Sequence, residues 1–153
     1  THFEKTEYSP ATTAAPSNPG LKATWYDFKG KACAEIAAAP VKNTYRVEDV
    51  TIPRGVKSYI IGLTYKGYIN IPEDGIYSFY LSSDDGSMLY IDGKQVIDND
   101  GLHAPGEVTG QAALKQGYHP IEVQYFDHGG GSINLKVCDN NGKEMPFTYL
   151  YAH

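Results

Sequence analysis

The chain has 153 residues, of which 41% are hydrophobic and 20% are charged, a composition that excludes a disordered or collagen-like protein. This length suits one domain with its own hydrophobic core. The formal net charge is -5 and the 13 lysines and arginines are scattered, so no basic track is available for nucleic acid. No apolar run exceeds four residues, whereas a span of the bilayer needs about 20, so we expect no membrane span.

The first 19 residues differ in composition from the rest of the chain. Residues 9–19 are rich in Ser, Thr, Ala and Pro and lack apolar periodicity, which is typical of a linker or of the end of a preceding module. After Gly20 apolar and polar residues begin to alternate. We therefore divide the chain into a linker or module end at 1–19 and one domain at 20–153.

Most elements predicted after residue 20 are short β-strands. Residues 32–39, which end at Pro40, are the one stretch that resembles a helix. Alternation between turn signals predicts strands at 21–28, 63–71, 77–82, 88–91, 95–97, 108–114, 118–126, 132–138 and 147–151. The strands at 63–71 and 77–82 flank a Pro-Glu-Asp-Gly turn, so we predict that they pair as a β-hairpin.

This pattern predicts the fold class. Nine or so short strands with almost no helix indicate an all-β protein, an antiparallel β-sandwich or barrel rather than a parallel α/β sheet. The 13 tyrosines agree, because tyrosine favours pleated, half-buried surfaces. In such a fold the functional residues lie mainly on loops at the ends of the strands.

The densest polar loop is residues 82–87, Ser-Ser-Asp-Asp-Gly-Ser. The adjacent carboxylates of Asp84 and Asp85 repel each other unless water or a cation separates them, and oxygen ligands of this kind suit calcium. The alternative is a turn in which the aspartates bond the local backbone and Gly86 takes the left-handed conformation. Spacing alone leaves both interpretations open.

A second candidate loop is Asp127, His128 and Gly129, followed by two more glycines. The glycines allow a ligand to approach the backbone closely, and bare carbonyls there can join Asp127 in coordinating a cation. The alternative is a plain hairpin loop. His103 and His128 are loop residues that can contact a ligand.

A third acidic segment, residues 98–101 with Glu107, partly mimics an EF-hand loop. Val96 occupies the first ligand position and strands flank the segment, so we predict a solvated turn there. Cys33 and Cys138 allow one disulfide or two separately buried thiols, and the sequence leaves this open.

Catalysis is not predicted from any residue pattern. The adjacent Asp84 and Asp85 cannot flank a glycosidic bond from opposite sides, and no Gly-x-Ser-x-Gly elbow is present. Tyrosine rings, by contrast, stack on the apolar faces of sugars. Tyr68, Tyr80 and Tyr90 alternate away from apolar neighbours and are candidates for exposure, with Tyr90 a candidate ligand-binding residue.

Several segments in order resemble the PA14 domain family. They are residues 62–69, 74–79, 82–99 (SSDDGSMLYIDGKQVIDN), 114–126 and 133–137. The resemblance runs from about Gly20 to the end of the chain, and it implies a β-sandwich of the kind found in bacterial glycoside hydrolases, bacterial toxins and yeast adhesins.

The resemblance also implies a site. In the adhesin branch of the family, two consecutive aspartates joined by a cis peptide bond bind a calcium ion that holds sugar hydroxyls, and Asp84 and Asp85 fall on that pair. A second loop completes the site, here residues 127–131, where the expected asparagine is absent unless Asn134 serves. The expected metal ligands are therefore Asp84, Asp85 and Asp127.

The function expected from these features is a non-catalytic carbohydrate-binding module, assisted by calcium. The resemblance implies that it is appended to a secreted, periplasmic or cell-surface bacterial glycoside hydrolase such as a β-hexosaminidase. Its partners would then be glycans and a catalytic domain in the same chain. The alternative is a structural accessory domain that shapes the active site of a neighbouring catalytic domain without binding sugar itself.

Overall fold

The computed structural model describes residues 8–12, 18–56, 60–144 and 148–151, and these form eleven strands and one short 3-10 helix. The strands are β1 Asn18–Pro19, β2 Leu21–Tyr26, β3 Val41–Val47, β4 Ile61–Ile71, β5 Gly75–Ser83, β6 Ser87–Ile91, β7 Lys94–Asn99, β8 Gly106–Leu114, β9 Gly117–Asp127, β10 Ile133–Cys138 and β11 Tyr149–Tyr151. The helix, Cys33–Ala38, lies where the helix-like stretch was predicted. β1 and β3 were not predicted, and residue 147 of the last predicted strand lies outside the described residues.

The strands form two antiparallel sheets with the main hydrophobic core between them. The large sheet has the order β1-β11-β4-β9-β6-β7, with β2 also paired to β4 and β3 paired to β2. The small sheet has the order β10-β5-β8. In β5 and in most of β9, alternate residues are buried, as the sequence pattern requires. This architecture confirms the predicted all-β antiparallel sandwich.

The predicted hairpin between β4 and β5 is wrong, because the two strands lie in different sheets. β4 pairs with β9 along its whole length, and β5 pairs with β8 and β10. The turn between them is instead bonded to the loop between β8 and β9. The Asp74 carboxylate accepts a hydrogen bond from the N–H of Gln116 in that loop at 2.8 Å. A turn motif marks where the chain reverses, but the long-range partners decide which sheet each strand joins.

Three tyrosines lie at the centre of the core. Tyr65, Tyr77 and Tyr125 are all at most 1% exposed, and each hydroxyl reaches a backbone carbonyl, those of Thr51, Glu73 and Asp84 respectively. A buried phenol needs such a partner to offset the loss of water. Part of the tyrosine excess therefore serves the core rather than the surface.

A second, smaller apolar cluster covers part of the outer face of the large sheet. It joins Phe28, Cys33 and Ile36 to Met88 of β6 and Phe126 of β9. Cys33 and Cys138 are both buried and free, so the structure has two separate thiols. Burial, reinforced by Asp100, raises the pKa of the Cys33 thiol.

Part of the N-terminal segment is hydrogen-bonded to the sandwich. The N–H of Ser9 donates to the carbonyl of Ala113 at 2.8 Å, and the N–H of Thr12 donates to the carbonyl of Tyr118 at 2.9 Å. The proposed division at residues 19 and 20 stays a prediction, and residues 1–7 lie outside the described part of the chain. Among the described residues, no helix has the length and apolar character needed to cross a membrane.

Candidate functional site

Three aspartates from two loops meet at one end of the sandwich. Asp84 and Asp85 follow β5 of the small sheet, and Asp127 is the last residue of β9 in the large sheet. One carboxylate oxygen from each residue lies within 4.8 Å of the others. Asp84 and Asp85 are joined by a cis peptide bond, as the resemblance implies. The structure thus brings together the three residues that the sequence nominated as metal ligands.

The backbone of Asp84 is held from both sides. Its N–H donates to the carbonyl of Ser132 at 3.0 Å, and its carbonyl accepts from the hydroxyl of Tyr125 at 2.8 Å. Tyr125 is fully buried, so this phenol is a rigid support beneath the loop. Asp84 itself is half-buried at the surface.

The Asp85 carboxylate is oriented by two backbone donors from different loops. Oδ1 accepts from the N–H of His103 at 3.1 Å, and Oδ2 accepts from the N–H of His128 at 3.0 Å. His128 therefore supports the site through its backbone. Its imidazole turns away, with Nε2 2.6 Å from the carbonyl oxygen of Gly30 and the ring packed edge-on against Phe126.

The buried Asp127 carboxylate is held by the glycine loop that follows it. Oδ1 accepts from the N–H of Gly129 at 3.1 Å, and Oδ2 accepts from the N–H of Gly131. A Cβ on Gly131 would collide with the carbonyl oxygen of Asp84, whereas a Cβ on Gly129 would meet nothing within 4 Å. Only one of these two glycines is therefore required by close approach.

Gly86 is needed for a similar reason. A Cβ there would lie 2.7 Å from the nitrogen of Gly101, so the 82–87 and 98–101 loops touch at this point. Gly86 is not among the glycines with positive φ, so the left-handed turn considered from the sequence does not form. Close packing explains this glycine where turn chemistry does not.

A buried polar network supports the aspartate loop from below. The amide of Asn99 donates to the carbonyls of Leu81 and Gly106 at 3.2 and 3.0 Å. The hydroxyl of Ser83 donates to the carbonyl of Asp85 at 2.8 Å. Because these groups are buried and satisfied, they fix the loop rather than loosen it.

The carboxylates act on one another and on their neighbours. Burial, followed by the charges of Asp85 and Asp127, raises the pKa of Asp84. Burial and then the carboxylates of Asp127 and Asp84 raise the pKa of Tyr125. Negative charge at this end of the sandwich is thus concentrated enough to penalise ionisation, and a cation would relieve that penalty.

His103 supplies a partial counter-charge. Its Nδ1 and Nε2 lie 2.7 and 2.8 Å from the carbonyl oxygens of Ala104 and Asn99, and two acceptors favour an imidazolium that donates to both. Burial works against this charge, but the two carbonyls and the carboxylates of Asp85 and Asp84 outweigh it and raise the pKa of His103.

Two other nominated residues lie elsewhere. Tyr90 projects from the outer face of the large sheet, where it lines a separate groove. Asn134 is exposed on β10, with its buried neighbours Ile133 and Leu135 facing the core. The solvated turn predicted at 98–101 is only partly correct, because Asp98 and Asn99 are the last residues of β7 and Asn99 is buried. The Asp100 carboxylate accepts from the N–H of Cys33 at 2.9 Å.

Sequence reasoning missed Tyr125 and Asn99 as supporting residues, and it named His103 as a ligand contact rather than as a support of Asp85. Each acts from an element distant in sequence, through a backbone N–H, a buried phenol or a buried amide. No local pattern marks these roles. Gly131, in contrast, belongs to the glycine run that the sequence singled out.

The geometry suits cation binding better than acid–base catalysis. A glycosidase needs two carboxylates about 5–9.5 Å apart on opposite sides of the bond. Here the three carboxylates cluster within 4.8 Å, at neighbouring loop ends. Clustered hard oxygen donors of this type match the preference of calcium.

Comparison with known proteins identifies a family and relatives of the chain. The model of the PA14 domain family matches residues 17–149. A β-hexosaminidase from Porphyromonas gingivalis is 36% identical to this chain over 77 residues. The matched segment is half of this chain and 9% of the β-hexosaminidase. An α-agarase from Thalassotalea agarivorans is 41% identical to this chain over 68 residues. That segment is 44% of this chain and 4% of the α-agarase. The chain therefore matches less than a tenth of the length of either relative.

A solved structure shows the same fold. The PA14 sugar-binding domain from an RTX adhesin superposes with a TM-score of 0.74, covering 90% of this chain and 100% of that one at 18% identity. This likeness extends over nearly the whole chain.

Proposed function

Because this chain belongs to the PA14 domain family, we propose that it is a non-catalytic carbohydrate-binding module in which Asp84, Asp85 and Asp127 hold calcium beside the bound sugar. The observation that carries the proposal is the convergence of three carboxylates within 4.8 Å at an accessible loop junction. The RTX adhesin domain of the same fold is described as sugar-binding, and both curated relatives are named as enzymes of carbohydrate chemistry.

The residues at this junction fit calcium. The ion takes about 6–8 oxygen ligands and tolerates irregular geometry. Two of the carboxylates, those of Asp85 and Asp127, are already oriented by two backbone N–H groups each. Each oxygen keeps a further lone pair for a cation. When bound, calcium would supply a hard positive centre with open positions for vicinal sugar hydroxyls.

The protein's own contribution is preorganisation. Asp85 is fixed by the loops of His103 and His128, and Asp84 by the hydroxyl of Tyr125. Because these supports are in place before a ligand arrives, little conformational entropy is lost on binding. The half-buried position of Asp84 and Asp85 leaves one side of the cluster open to a sugar.

We propose that the module works beside a catalytic domain in a secreted, periplasmic or cell-surface bacterial glycoside hydrolase. Both curated relatives are much longer than the matched segment, which covers 9% of one and 4% of the other. In that setting the module would keep the enzyme near its glycan substrate and raise the effective substrate concentration.

The test is isothermal titration of the purified chain with a panel of mono- and oligosaccharides, in calcium and again in EDTA. We expect at least one sugar to bind in calcium and to lose its heat signal in EDTA. The double variant Asp84→Ala with Asp85→Ala should not bind, whereas Asp98→Asn, at an exposed position of β7, should bind as the wild type does. Failure of every sugar to bind in calcium would contradict the proposal.

A second candidate function is a structural accessory domain without its own affinity for sugar. The observation that favours it is the attachment of residues 8–12 to β8 and β9, since a fixed N-terminal segment restricts how the sandwich can be oriented. Deletion of residues 20–153 from the parent protein separates the two. A structural role predicts lower activity on a small soluble substrate, whereas a binding role predicts lower activity only on polymeric glycan.

A further inference from the structure

A groove of about 650 Å³ crosses the outer face of the large sheet, away from the aspartates. Its floor is the outward side of β9, where Pro120, Glu122 and Gln124 follow one another at alternate positions. Tyr68 of β4 and Tyr90 of β6 stand on either side of that floor. Met88 and Phe126, of the second apolar cluster, separate the groove from Asp127 along β6 and β9.

The strand register fixes the two tyrosines as opposite walls. Tyr68 pairs with Pro120, and Tyr90 pairs with Glu122, so β9 lies between them. The strands that carry the two rings are therefore two strand spacings apart, about 9–10 Å. The rings are offset along the sheet by two residues of β9. Both rings are half-buried, and Tyr90 packs against the second apolar cluster, which holds that wall in place.

The charged groups in the groove are two lysines and one glutamate. Lys22 of β2 lies directly opposite Lys66 of β4, and Lys66 lies directly opposite Glu122. Like charges paired across strands destabilise a sheet. With Glu122 included, the groove lining carries a formal charge of +1 on a chain whose formal net charge is -5. Glu122 lies opposite Lys66, and an anionic group would relieve the repulsion that remains at Lys22.

We propose that this groove is a second glycan-binding site, which takes an oligosaccharide carrying carboxylate or sulfate groups and needs no metal. The faces of Tyr68 and Tyr90 would stack on sugar rings, and Lys22 and Lys66 would bind the acidic group. Gln124 Nε2 donates to Glu122 Oε2 at 2.9 Å, and the second N–H of this amide and the other carboxylate oxygen can bind sugar hydroxyls. Concave, aromatic-walled sites with a few convergent polar groups are typical of ligand binding.

The test uses three probes titrated calorimetrically in EDTA, which removes any contribution from the aspartate cluster. The probes are hexagalacturonic acid, a sulfated carrageenan hexasaccharide and neutral cellohexaose. We expect one or both acidic probes to bind, with affinity falling as salt rises, and cellohexaose to bind at least tenfold more weakly. Which acidic probe binds more tightly distinguishes carboxylate from sulfate recognition.

Variants localise the binding. Tyr90→Ala and Lys66→Gln should each weaken the acidic probe at least tenfold, with folding checked by circular dichroism. Lys66 is exposed, so its variant keeps the test valid if Tyr90→Ala unfolds. The matched control is Tyr80→Ala, because the half-buried ring of Tyr80 lies on the small sheet beneath Lys136 Nζ at 4.6 Å.

Three results would overturn the second site: no acidic probe binds in EDTA, cellohexaose binds as tightly as the acidic probes, or Lys66→Gln leaves the affinity unchanged. None of them bears on calcium-dependent binding at the aspartates, which is measured in calcium. Conversely, loss of sugar binding in Asp84→Ala with Asp85→Ala leaves the EDTA experiment intact.

Discussion

Gly131 lies against the backbone carbonyl of Asp84 so closely that any side chain at this position would overlap the carbonyl oxygen. The same glycine donates its N–H to the carboxylate of Asp127. One residue thus holds together the two loops that carry the proposed calcium ligands. Gly129, two positions earlier, also donates to Asp127 but has open space where a Cβ would lie.

We expect Gly131→Ala to push the 127–131 loop away from Asp84. Overpacking of this kind costs about 1–3 kcal/mol of unfolding free energy, and it should also lower calcium affinity at least tenfold because the ligands separate. Urea unfolding and calcium titration measure the two effects. Gly129→Ala is the matched control and should change neither by more than about 0.5 kcal/mol. Equal effects from the two alanines would contradict this account of the loop.

Tyr125→Phe should weaken calcium binding as well as folding. The variant removes the hydroxyl that bonds the carbonyl of Asp84 at 2.8 Å and costs about 1–2 kcal/mol of stability. Tyr65→Phe removes an equally buried hydroxyl that bonds the carbonyl of Thr51 at 2.8 Å, remote from the aspartates. It should lose similar stability and keep calcium affinity. If Tyr125→Phe also keeps the calcium affinity of the wild type, the Tyr125 hydroxyl does not position Asp84.

The thermal stabilisation by calcium should grow with pH. Burial and the charges of Asp85 and Asp127 raise the pKa of Asp84 above its ordinary value of 3.8. The folded state therefore favours the protonated form, and that stability is present below pH 3.8 and lost as the pH rises through the raised pKa. Calcium should offset this loss, so the rise in Tm on adding calcium should be larger at pH 7 than at pH 4. An equal rise in Tm at pH 4 and pH 7 would contradict this prediction. The same pH dependence of that rise in Asp84→Asn would contradict it as well.

A hydrogen-bonded pair of His119 and Asp92 should stabilise the N-terminal attachment. His119 is fully buried, with Nδ1 2.9 Å from the Asp92 carboxylate and Nε2 2.7 Å from the carbonyl oxygen of Lys115. The hydroxyl of Ser9 donates to the same carboxylate. Asp92→Ala should cost about 2–4 kcal/mol because it leaves the buried Nδ1 of His119 and the hydroxyl of Ser9 without their partner, whereas Ser9→Ala should cost about 1 kcal/mol. Chemical denaturation compares them, and equal costs would contradict a pair centred on His119.

The sequence was sufficient for the parts of the site that follow from local motifs. The consecutive Asp84 and Asp85 and the glycine run after Asp127 are visible as polar loops between apolar strands, and the structure brings them together. The support from His103 and Tyr125 was not predictable, because a backbone N–H and a core phenol have no local signature. Alternation placed Tyr90 away from the core, but it could not show that the ring lines a groove separate from the aspartate loops.

The positions of the strands could be predicted from the sequence, but their pairing could not. Alternation located β4 and β5 and their buried faces, but it could not show that they join different sheets. The pairing of β4 with β9 spans some fifty residues of chain, and it is decided by packing across the core rather than by the Pro-Glu-Asp-Gly turn. Local signals therefore gave the strands, and tertiary contacts gave their partners.

The measurement that tests the central claim most directly is calorimetric titration of calcium into the metal-free chain, wild type beside Asp84→Ala with Asp85→Ala. The account predicts one calcium ion per chain for the wild type and no measurable binding for the double variant. Absence of calcium binding by the wild type, or an unchanged isotherm in the double variant, would contradict a calcium site at Asp84, Asp85 and Asp127.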